Sequence, residues 1–394
     1  MNSVSSLVPE KAGASELAKR ATACHRRHMN PPLSAFTNQA GIARTFVRGE
    51  GTWLYDAEGH RYLDLVAGYG AVNLGHNHPA VVEAIRSALA SYPPGFTPSA
   101  VNPYATALAE ELISLAPGGL GIVFFTNSGT ESTEAALKLA RAATGRFGFL
   151  SCFGSFHGKT LGSLSVTAKT ELQMLFQPLI PGCEAVPYGD LEALERELLT
   201  CKYAAFIVEP VQGEAGVYIP PPGYLKRAEE LCRQTGTLLI VDEVQTGFGR
   251  TGALFACEHE GVTPDVLTLA KSLGGGMMPI GAMISRRDVW DRAYGTVQTC
   301  LMHTSTFAGG SLPCAAALAA VRAIVRDDLS GRAAEVGKRL MSGLKDFPTR
   351  YKCVSEIRGK GLMIGIEFQR WPQTAVNHWK SLDETGLSQY MIRG

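Results

Sequence analysis

The chain has 394 residues, with 37 Lys and Arg against 36 Asp and Glu for a formal net charge of +1, and 45% of its residues are hydrophobic. The balanced charge argues against a protein that binds nucleic acid or an anionic membrane electrostatically. The hydrophobic content supports a large core, and the length predicts two domains or one large domain with a smaller companion. Nine cysteines lie scattered without a C-x-x-C pair, which is typical of reduced thiols in a cytoplasmic protein.

The N-terminal part of the chain is predicted to form a polar helix followed by a β-hairpin. The helical pattern covers residues 11–29, and the Asn-Pro-Pro at 30–32 should end it; the basic composition of this segment also fits an organellar transit peptide. Residues 52–56 and 60–64 alternate aromatic and aliphatic side chains around a Glu-Gly turn, which predicts a hairpin. A second helix is expected over 78–90, and neither a secretory signal nor a membrane span is predicted.

From about residue 121, short apolar runs alternate with helical patterns. Buried strands separated by helices predict an α/β fold with a mostly parallel central sheet that is covered by helices. The expected strands are residues 122–125, 204–208, 238–241 and 266–269, and the expected helices are 133–143 and 223–233. Ligands of such sheets bind at the carboxyl ends of the strands, so the residues that follow each strand indicate the site.

Two of these strand ends carry groups that suit an anion or a cation. Residues 126–131 (TNSGTE) lead from a strand into a helix, where free N–H groups and the helix dipole favour a phosphate, although Ser and Thr there also fit an ordinary helix cap. Asp242 and Glu243 follow a buried strand directly and need partners, because a desolvated charge is costly. Asp242 could bind a metal, accept a helix N–H, or pair with a cationic ring nitrogen; with no histidine nearby in the sequence, the metal site is the weakest of these.

The third strand end carries Lys271, followed by three glycines at 274–276. An apolar approach would lower the pKa of this lysine and free its amine as a nucleophile, although a lysine at a strand terminus is more often simply solvated. Together the three strand ends match the needs of pyridoxal phosphate, which are an amine for the Schiff base, a carboxylate for the pyridine nitrogen and a helix N-terminus for the phosphate. Phe156 is a candidate to cover the ring, and core packing is its alternative role.

Five motifs, in this order, resemble those of the class III aminotransferases of fold type I, and the similarity runs from about residue 46 to 368. The motifs are 128–132 (SGTES), 156–160 (FHGKT), 209–214 (EPVQGE), 242–247 (DEVQTG) and 269–276 (LAKSLGGG). Within the class, the chain is most similar to putrescine (diamine) aminotransferases. The segments that support this are 255–260 (FACEHE), 278–282 (MPIGA) and 303–307 (HTSTF).

The resemblance implies roles for residues around the cofactor. Lys271 would carry the Schiff base and shuttle the proton, Asp242 would pair with the pyridinium nitrogen, and Gln245 would reach the phenolic oxygen. Val244 and Phe156 would enclose the ring. The remaining residues expected to bind the cofactor are Ser128, Gly129 and Thr130 at the phosphate, together with His157 and Glu209.

The resemblance also implies a homodimer with shared active sites, because Thr306 matches the threonine that completes the phosphate site of the neighbouring subunit. Tyr69 and Glu214 fall where relatives line the substrate pocket. The expected reaction is a ping-pong exchange between a small-molecule amine donor and a keto-acid or aldehyde acceptor. A different pyridoxal-phosphate reaction, such as that of an aminomutase or racemase, and a non-catalytic protein that binds the cofactor are the alternatives.

Lys159 indicates the substrate class. Relatives that act on α-amino acids usually carry arginine there, whose planar fork clamps a carboxylate with two parallel hydrogen bonds, as lysine cannot. Lysine therefore favours a diamine or other ω-amine, although its charge could still bind a carboxylate. Ornithine-like amino acids and a specialised biosynthetic aldehyde stay as alternatives.

The resemblance predicts three parts of the chain, which are an N-terminal segment (1–65), a large cofactor-binding domain (66–325) and a C-terminal part (326–394). The first and last of these would form a smaller α+β domain. Residues 308–313 (AGGSLP) depart from the family pattern of Gly-Gly-Asn-Pro-Leu-Ala, which affects the loop after Thr306. After the expected strand at 364–368 the C-terminal part looks incomplete, and the late arginine that many relatives use for the acceptor carboxylate is missing.

Overall fold

The computed structural model describes residues 13–40, 42–96 and 100–369. They fall into two compact units. The smaller contains the described residues within 1–67, 75–77 and 368–369, and the larger contains those within 68–74 and 78–367.

The smaller unit begins with two helices, α1 (Ala14–His28) and α2 (Pro31–Gln39). The first confirms the predicted N-terminal helix, which ends before the Asn-Pro-Pro at 30–32 as expected. The same three residues also begin the second helix, which was not predicted. Asn30 caps α2 by accepting the N–H of Leu33 at 3.1 Å, and the prolines occupy the first turn, where a missing N–H costs nothing.

The predicted hairpin is confirmed as β2 (Trp53–Asp56) and β3 (Arg61–Leu63), which pair antiparallel. A strand that the pattern did not predict, β1 (Phe46–Glu50), pairs with the outer edge of β2. Its largely exposed sequence FVRGE lacks the regular alternation that marked the other two strands.

The larger unit is built on a seven-stranded sheet and confirms the predicted α/β class. Its strands are β4 (Leu120–Thr126), β5 (Gly148–Cys152), β6 (Cys183–Val186), β7 (Tyr203–Val208), β8 (Leu238–Asp242), β9 (Val266–Leu269) and β10 (Gly281–Arg286), in the spatial order β4-β10-β9-β8-β7-β5-β6. The ladders from β9 to β6 are parallel, and β10 runs antiparallel to both of its neighbours. The four predicted strands are all present, whereas β5, β6 and β10 were not predicted.

Helices cover both faces of this sheet, and two hydrophobic clusters fill the space between. All residues of β7 and β8 are buried, because a parallel strand with helices on both sides exposes neither face. The described helices after α2 are α3 (Ala67–Gly70), α4 (Pro79–Ala90), α5 (Pro103–Leu115), α6 (Gly129–Thr144), α7 (Leu161–Val166), α8 (Thr170–Gln173), α9 (Leu191–Leu198), α10 (Tyr224–Thr235), α11 (Arg287–Tyr294), α12 (Ser311–Arg326), α13 (Leu329–Leu344) and α14 (Phe347–Arg350). None of the described helices combines the length and apolar character needed to cross a bilayer.

The last described elements are β11 (Val354–Lys360) and β12 (Met363–Phe368), which pair into a separate two-stranded sheet. β12 confirms the strand expected at 364–368. The expectation of an incomplete C-terminal part concerns residues that lie mostly outside the described ones.

Candidate active site

A cavity of about 500 Å3 opens at the carboxyl ends of the strands of the large sheet. Its wall is formed by the segments that follow β4, β5, β7, β8 and β9, as expected for a sheet of this type. The predicted site residues in this wall are Ser128, Gly129, Thr130, Phe156, His157, Lys159, Glu209, Glu214, Asp242, Val244, Gln245 and Lys271. Among the described residues, Tyr69 and Thr306 are the predicted site residues that lie outside it.

The segment that follows β4 caps α6, and its backbone lies close to the side chain of Val244. Ser128 caps α6 by accepting the N–H of Glu131 at 3.3 Å, so the ordinary capping role is real. Gly129 opens the helix beside Val244. A Cβ at this position would lie 2.8 Å from Val244 Cγ1, so only glycine keeps the free N–H groups of the first turn at this distance from the opposite wall.

The hydroxyl of Thr130 is engaged by the loop that carries Lys159, which the sequence did not predict. Thr130 Oγ1 lies 2.8 Å from the hydroxyl of Thr160 and 2.5 Å from that of Ser163. The Thr160 hydroxyl in turn donates to a carboxylate oxygen of Glu134, on the next turn of α6. The start of α6 and residues 159–163 are therefore one hydrogen-bonded unit.

Asp242 is buried and oriented by two contacts. One carboxylate oxygen lies 2.7 Å from Nδ1 of His157, and the other accepts the N–H of Val244 at 3.0 Å. These contacts hold the carboxylate in place, and its pairing with a cationic ring nitrogen stays a prediction. The His157 Nε2 atom is buried and has no hydrogen-bond partner within residues 13–40, 42–96 and 100–369.

Lys271 lies in the same wall and is mostly buried. Burial lowers the pKa of its amine, while the negative charges of Asp242, Glu214 and Glu209 act in the opposite direction. A lowered pKa agrees with the role of nucleophile that the sequence predicts for Lys271. Its φ of +46° lies in the left-handed region that a non-glycine residue rarely adopts, and such strain is found at functional sites.

Glu209 is buried, and both of its carboxylate oxygens accept backbone hydrogen bonds. They come from the N–H of Phe156 at 3.0 Å and the N–H of Gly213 at 3.2 Å. Burial raises the pKa of Glu209 to about 7, the charge of His157 opposes that rise, and the charge of Asp242 adds to it.

The two wall residues that are expected to contact the substrate, Lys159 and Glu214, carry opposite charges. Lys159 is exposed, and its Nζ lies 5.8 Å from the centre of the Phe156 ring. Glu214 is also exposed, and its backbone carbonyl accepts a hydrogen bond from Lys169 Nζ at 2.7 Å.

Tyr69 and Thr306 occupy different surroundings from the other predicted residues. The Tyr69 side chain is 76% exposed, and its carbonyl accepts a 3.4 Å hydrogen bond from the Gln245 side chain. Thr306 is exposed; its neighbour Ser305 accepts a hydrogen bond from the Asn127 side chain at 3.0 Å. Within one chain, neither side chain reaches the wall of the cavity.

The residues present fit pyridoxal phosphate. The cavity brings together a primary amine with a lowered pKa, an oriented buried carboxylate, the start of a helix and an aromatic ring. A second close approach, at Gly158, supports a tightly shaped cradle, since a Cβ there would lie 2.3 Å from Thr130 Oγ1. No single strand end supplies all of these groups.

Comparison with known proteins gives a consistent result. The family model described as aminotransferase class-III matches residues 36–392. Aminotransferase PigE of Serratia sp. (strain ATCC 39006) is 48% identical over 347 residues, which are 88% of this chain and 41% of that protein. The chain thus spans less than half the length of that curated relative.

Solved structures agree in fold. An (S)-enantioselective omega-transaminase from Thermomicrobium roseum is 34% identical with a TM-score of 0.83, and the match covers 93% of this chain and 88% of that one. The ornithine aminotransferase of Toxoplasma gondii, crystallised with partial occupancy of PLP at its active site, is 34% identical with a TM-score of 0.81. That match covers 92% of this chain and 85% of the other.

Proposed function

Since the chain belongs to the class III aminotransferases and is a pyridoxal-phosphate-dependent transferase, we propose that it moves a terminal amino group from a diamine or simple amine to a keto acid or aldehyde. The observation that carries this proposal is the pair of charged side chains on the substrate side of the cavity, Lys159 and Glu214. A lysine there cannot form the two parallel hydrogen bonds by which arginine clamps an α-carboxylate. A carboxylate in the same wall favours a substrate with a second positive charge.

The residues of the cavity have distinct tasks in such a transfer. Bound pyridoxal phosphate supplies an electron sink for the carbon that loses its proton. Lys271 would hold the cofactor through Nζ and, once the donor amine has displaced it, would take the proton from the amine-bearing carbon. Its lowered pKa favours this role, because a base must be unprotonated to accept a proton.

Asp242, held by His157 at 2.7 Å, would keep the ring nitrogen positive. The N–H groups at the start of α6 would bind the phosphate, with Ser128, Gly129 and Thr130 nearest to it. Phe156 and Val244 would cover the two faces of the ring, and Gln245 would contact its phenolic oxygen. These assignments follow the family motifs, and the shared cavity wall supports them.

We also propose a cytoplasmic homodimer in which Thr306 completes the phosphate site of the second copy. Two observations support it, since Thr306 is exposed and lies outside the cavity of its own chain. The nine free cysteines are consistent with a reducing compartment.

A substrate panel tests the proposed specificity. Purified protein loaded with pyridoxal phosphate is mixed with putrescine, cadaverine, ornithine or β-alanine, and loss of the band of the lysine-bound cofactor is followed, with 2-oxoglutarate or pyruvate as acceptor. Putrescine or cadaverine should react fastest. A preference for ornithine at its α-amine would overturn the diamine assignment and favour the ornithine-like alternative, which the similarity to an ornithine aminotransferase keeps in view.

A further inference from the structure

Glu209 is a buried carboxylate in the wall of the cavity that bonds to the backbone of two other wall segments. It follows β7 directly, and its two oxygens accept the N–H groups of Phe156 and Gly213 at 3.0 and 3.2 Å. The two donors are far apart in sequence: Phe156 lines the cavity, and Gly213 directly precedes Glu214, which also lines it.

At the first donor, hydrogen bonds hold each of the three residues around Phe156 in place. The Ser155 hydroxyl donates to the carbonyl of Val166 at 3.0 Å, and the N–H of His157 donates to the hydroxyl of Thr167 at 2.9 Å. The N–H of Phe156, between them, depends on Glu209. Without that acceptor, the residue that carries the aromatic ring would have a partly buried donor left unpaired.

At the second donor, the Gln245 side chain packs against the backbone of Gly213. A Cβ on Gly213 would lie 1.5 Å from Gln245 Oε1, so a small shift of this residue changes where the carboxamide can lie. Glu214 comes next in the chain and lines the cavity. The position of Gly213 therefore affects a residue expected at the cofactor and one expected at the substrate.

We propose that Glu209 is a positioning residue, whose carboxylate fixes Phe156 and Gly213–Glu214 at once and so couples the stacking of the cofactor ring to recognition of the amine. This rests on the proposed function, in which Phe156 covers the ring and Glu214 faces the substrate. Glu209 would act through these two segments rather than as a direct ligand of the cofactor.

The Glu209→Gln variant tests the proposal, because an amide offers one acceptor oxygen where two N–H groups need one each. Its matched control is Glu229→Gln. Glu229, on α10, is equally buried and accepts hydrogen bonds from Lys226 Nζ at 2.6 Å and from Arg233 Nη2 at 2.7 Å, and it lies outside the cavity wall. Both variants lose a buried carboxylate, and only the first touches the two wall segments.

The measurements are the affinity of the cofactor-free protein for pyridoxal phosphate by absorbance titration, kcat and KM for the fastest amine, and the melting temperature. We expect Glu209→Gln to weaken cofactor binding about tenfold and to raise KM by a similar factor, since the partly buried N–H of Phe156, of Gly213 or of both is left unpaired. The Glu229→Gln variant should lower the melting temperature without either effect. Equal losses in both variants would show general destabilisation and overturn the proposal.

A second comparison separates positioning from direct contact. Added to Phe156→Ala, the Glu209→Gln change should weaken cofactor binding little further, because the ring that it positions is already gone. Fully additive losses would overturn the coupling. A fall in kcat above a hundredfold with unchanged cofactor affinity and KM would instead show a catalytic group.

If Glu209→Gln does not fold, Glu209→Asp takes its place, since it keeps both oxygens but draws them back by one methylene and should show the same two losses at smaller size. Cofactor affinity and KM equal to those of the wild type would overturn the proposal for either variant. The cofactor titration requires no amine, so it tests Glu209 even if the diamine assignment fails.

Discussion

Replacement of Gly129 by alanine should damage the cofactor site through packing alone. The new Cβ would lie 2.8 Å from Val244 Cγ1, 3.1 Å from Val244 Cγ2 and 3.6 Å from the Cβ of Ala270. Ordinary carbon contacts begin near 3.5 Å, so the start of α6 and Val244 must separate by roughly 0.7 Å. Overpacking of this kind typically costs about 1–3 kcal/mol. Alanine's higher helix propensity offsets at most about 1 kcal/mol of that cost.

Both the phosphate cradle and one face of the ring would move, so cofactor affinity should fall by roughly ten- to a hundredfold. The assay is an absorbance titration of cofactor-free protein with pyridoxal phosphate, together with its melting temperature. Gly121→Ala is the control, because Gly121 lies in β4 and a Cβ added there would have no neighbouring atom within 4 Å.

A double-mutant cycle with Val244→Ala sharpens the test. Removing Val244 Cγ1 and Cγ2 removes the two closest contacts, so alanine at 129 should cost much less in that background. Wild-type affinity and melting temperature for Gly129→Ala, or the same cost with and without Val244, would refute the packing argument.

Three further predictions concern charged residues of the wall. Lys271→Ala should abolish transamination and the near-visible band of the lysine-bound cofactor, and a mutant with wild-type turnover would contradict the assignment. Lys159→Arg should raise the KM ratio of putrescine to ornithine, because the guanidinium fork binds an α-carboxylate; steady-state kinetics with both amines would detect an unchanged ratio. For Glu209, the folded pKa is raised from 4.5 to about 7, so its contribution to the stability of the cofactor-free protein is fully present below about pH 4.5 and is lost as the pH rises to about 7. The loss in the free energy of unfolding is about 3 kcal/mol. Urea unfolding at pH 5 and pH 8 should therefore show a smaller difference in unfolding free energy for Glu209→Gln than for the wild type. An equal difference in both proteins would exclude Glu209 as its source.

The strand ends could be predicted from sequence because their signals are local. A buried apolar run followed closely by Asp242 or Lys271 predicts both the strand and the end of the strand at which the functional residue lies. The family motifs then assigned roles to individual residues, and most of these residues share one wall.

The contacts that support these residues could not be predicted in this way. The bond between His157 and Asp242 joins residues 85 positions apart, and the Thr130 hydroxyl meets Ser163 across 33 positions. Polar residues such as Thr160 and Ser163 have no periodic signal, since their partners depend on how the start of α7 packs against the start of α6. The strand β10 was missed because a short, buried apolar run such as Gly281–Arg286 cannot be distinguished from a buried helix segment by periodicity.

The hydroxyl cluster of Thr130, Thr160 and Ser163 limits how this enzyme can acquire new substrates. A mutation that reshapes residues 159–163 for another amine also disturbs the first turn of the helix expected to bind the phosphate. We therefore expect mutations in this segment to change amine selectivity and coenzyme binding together. Libraries that randomise positions 160 and 163 alone should yield many variants that lose the coenzyme, and libraries that vary position 130 with them should recover more active ones.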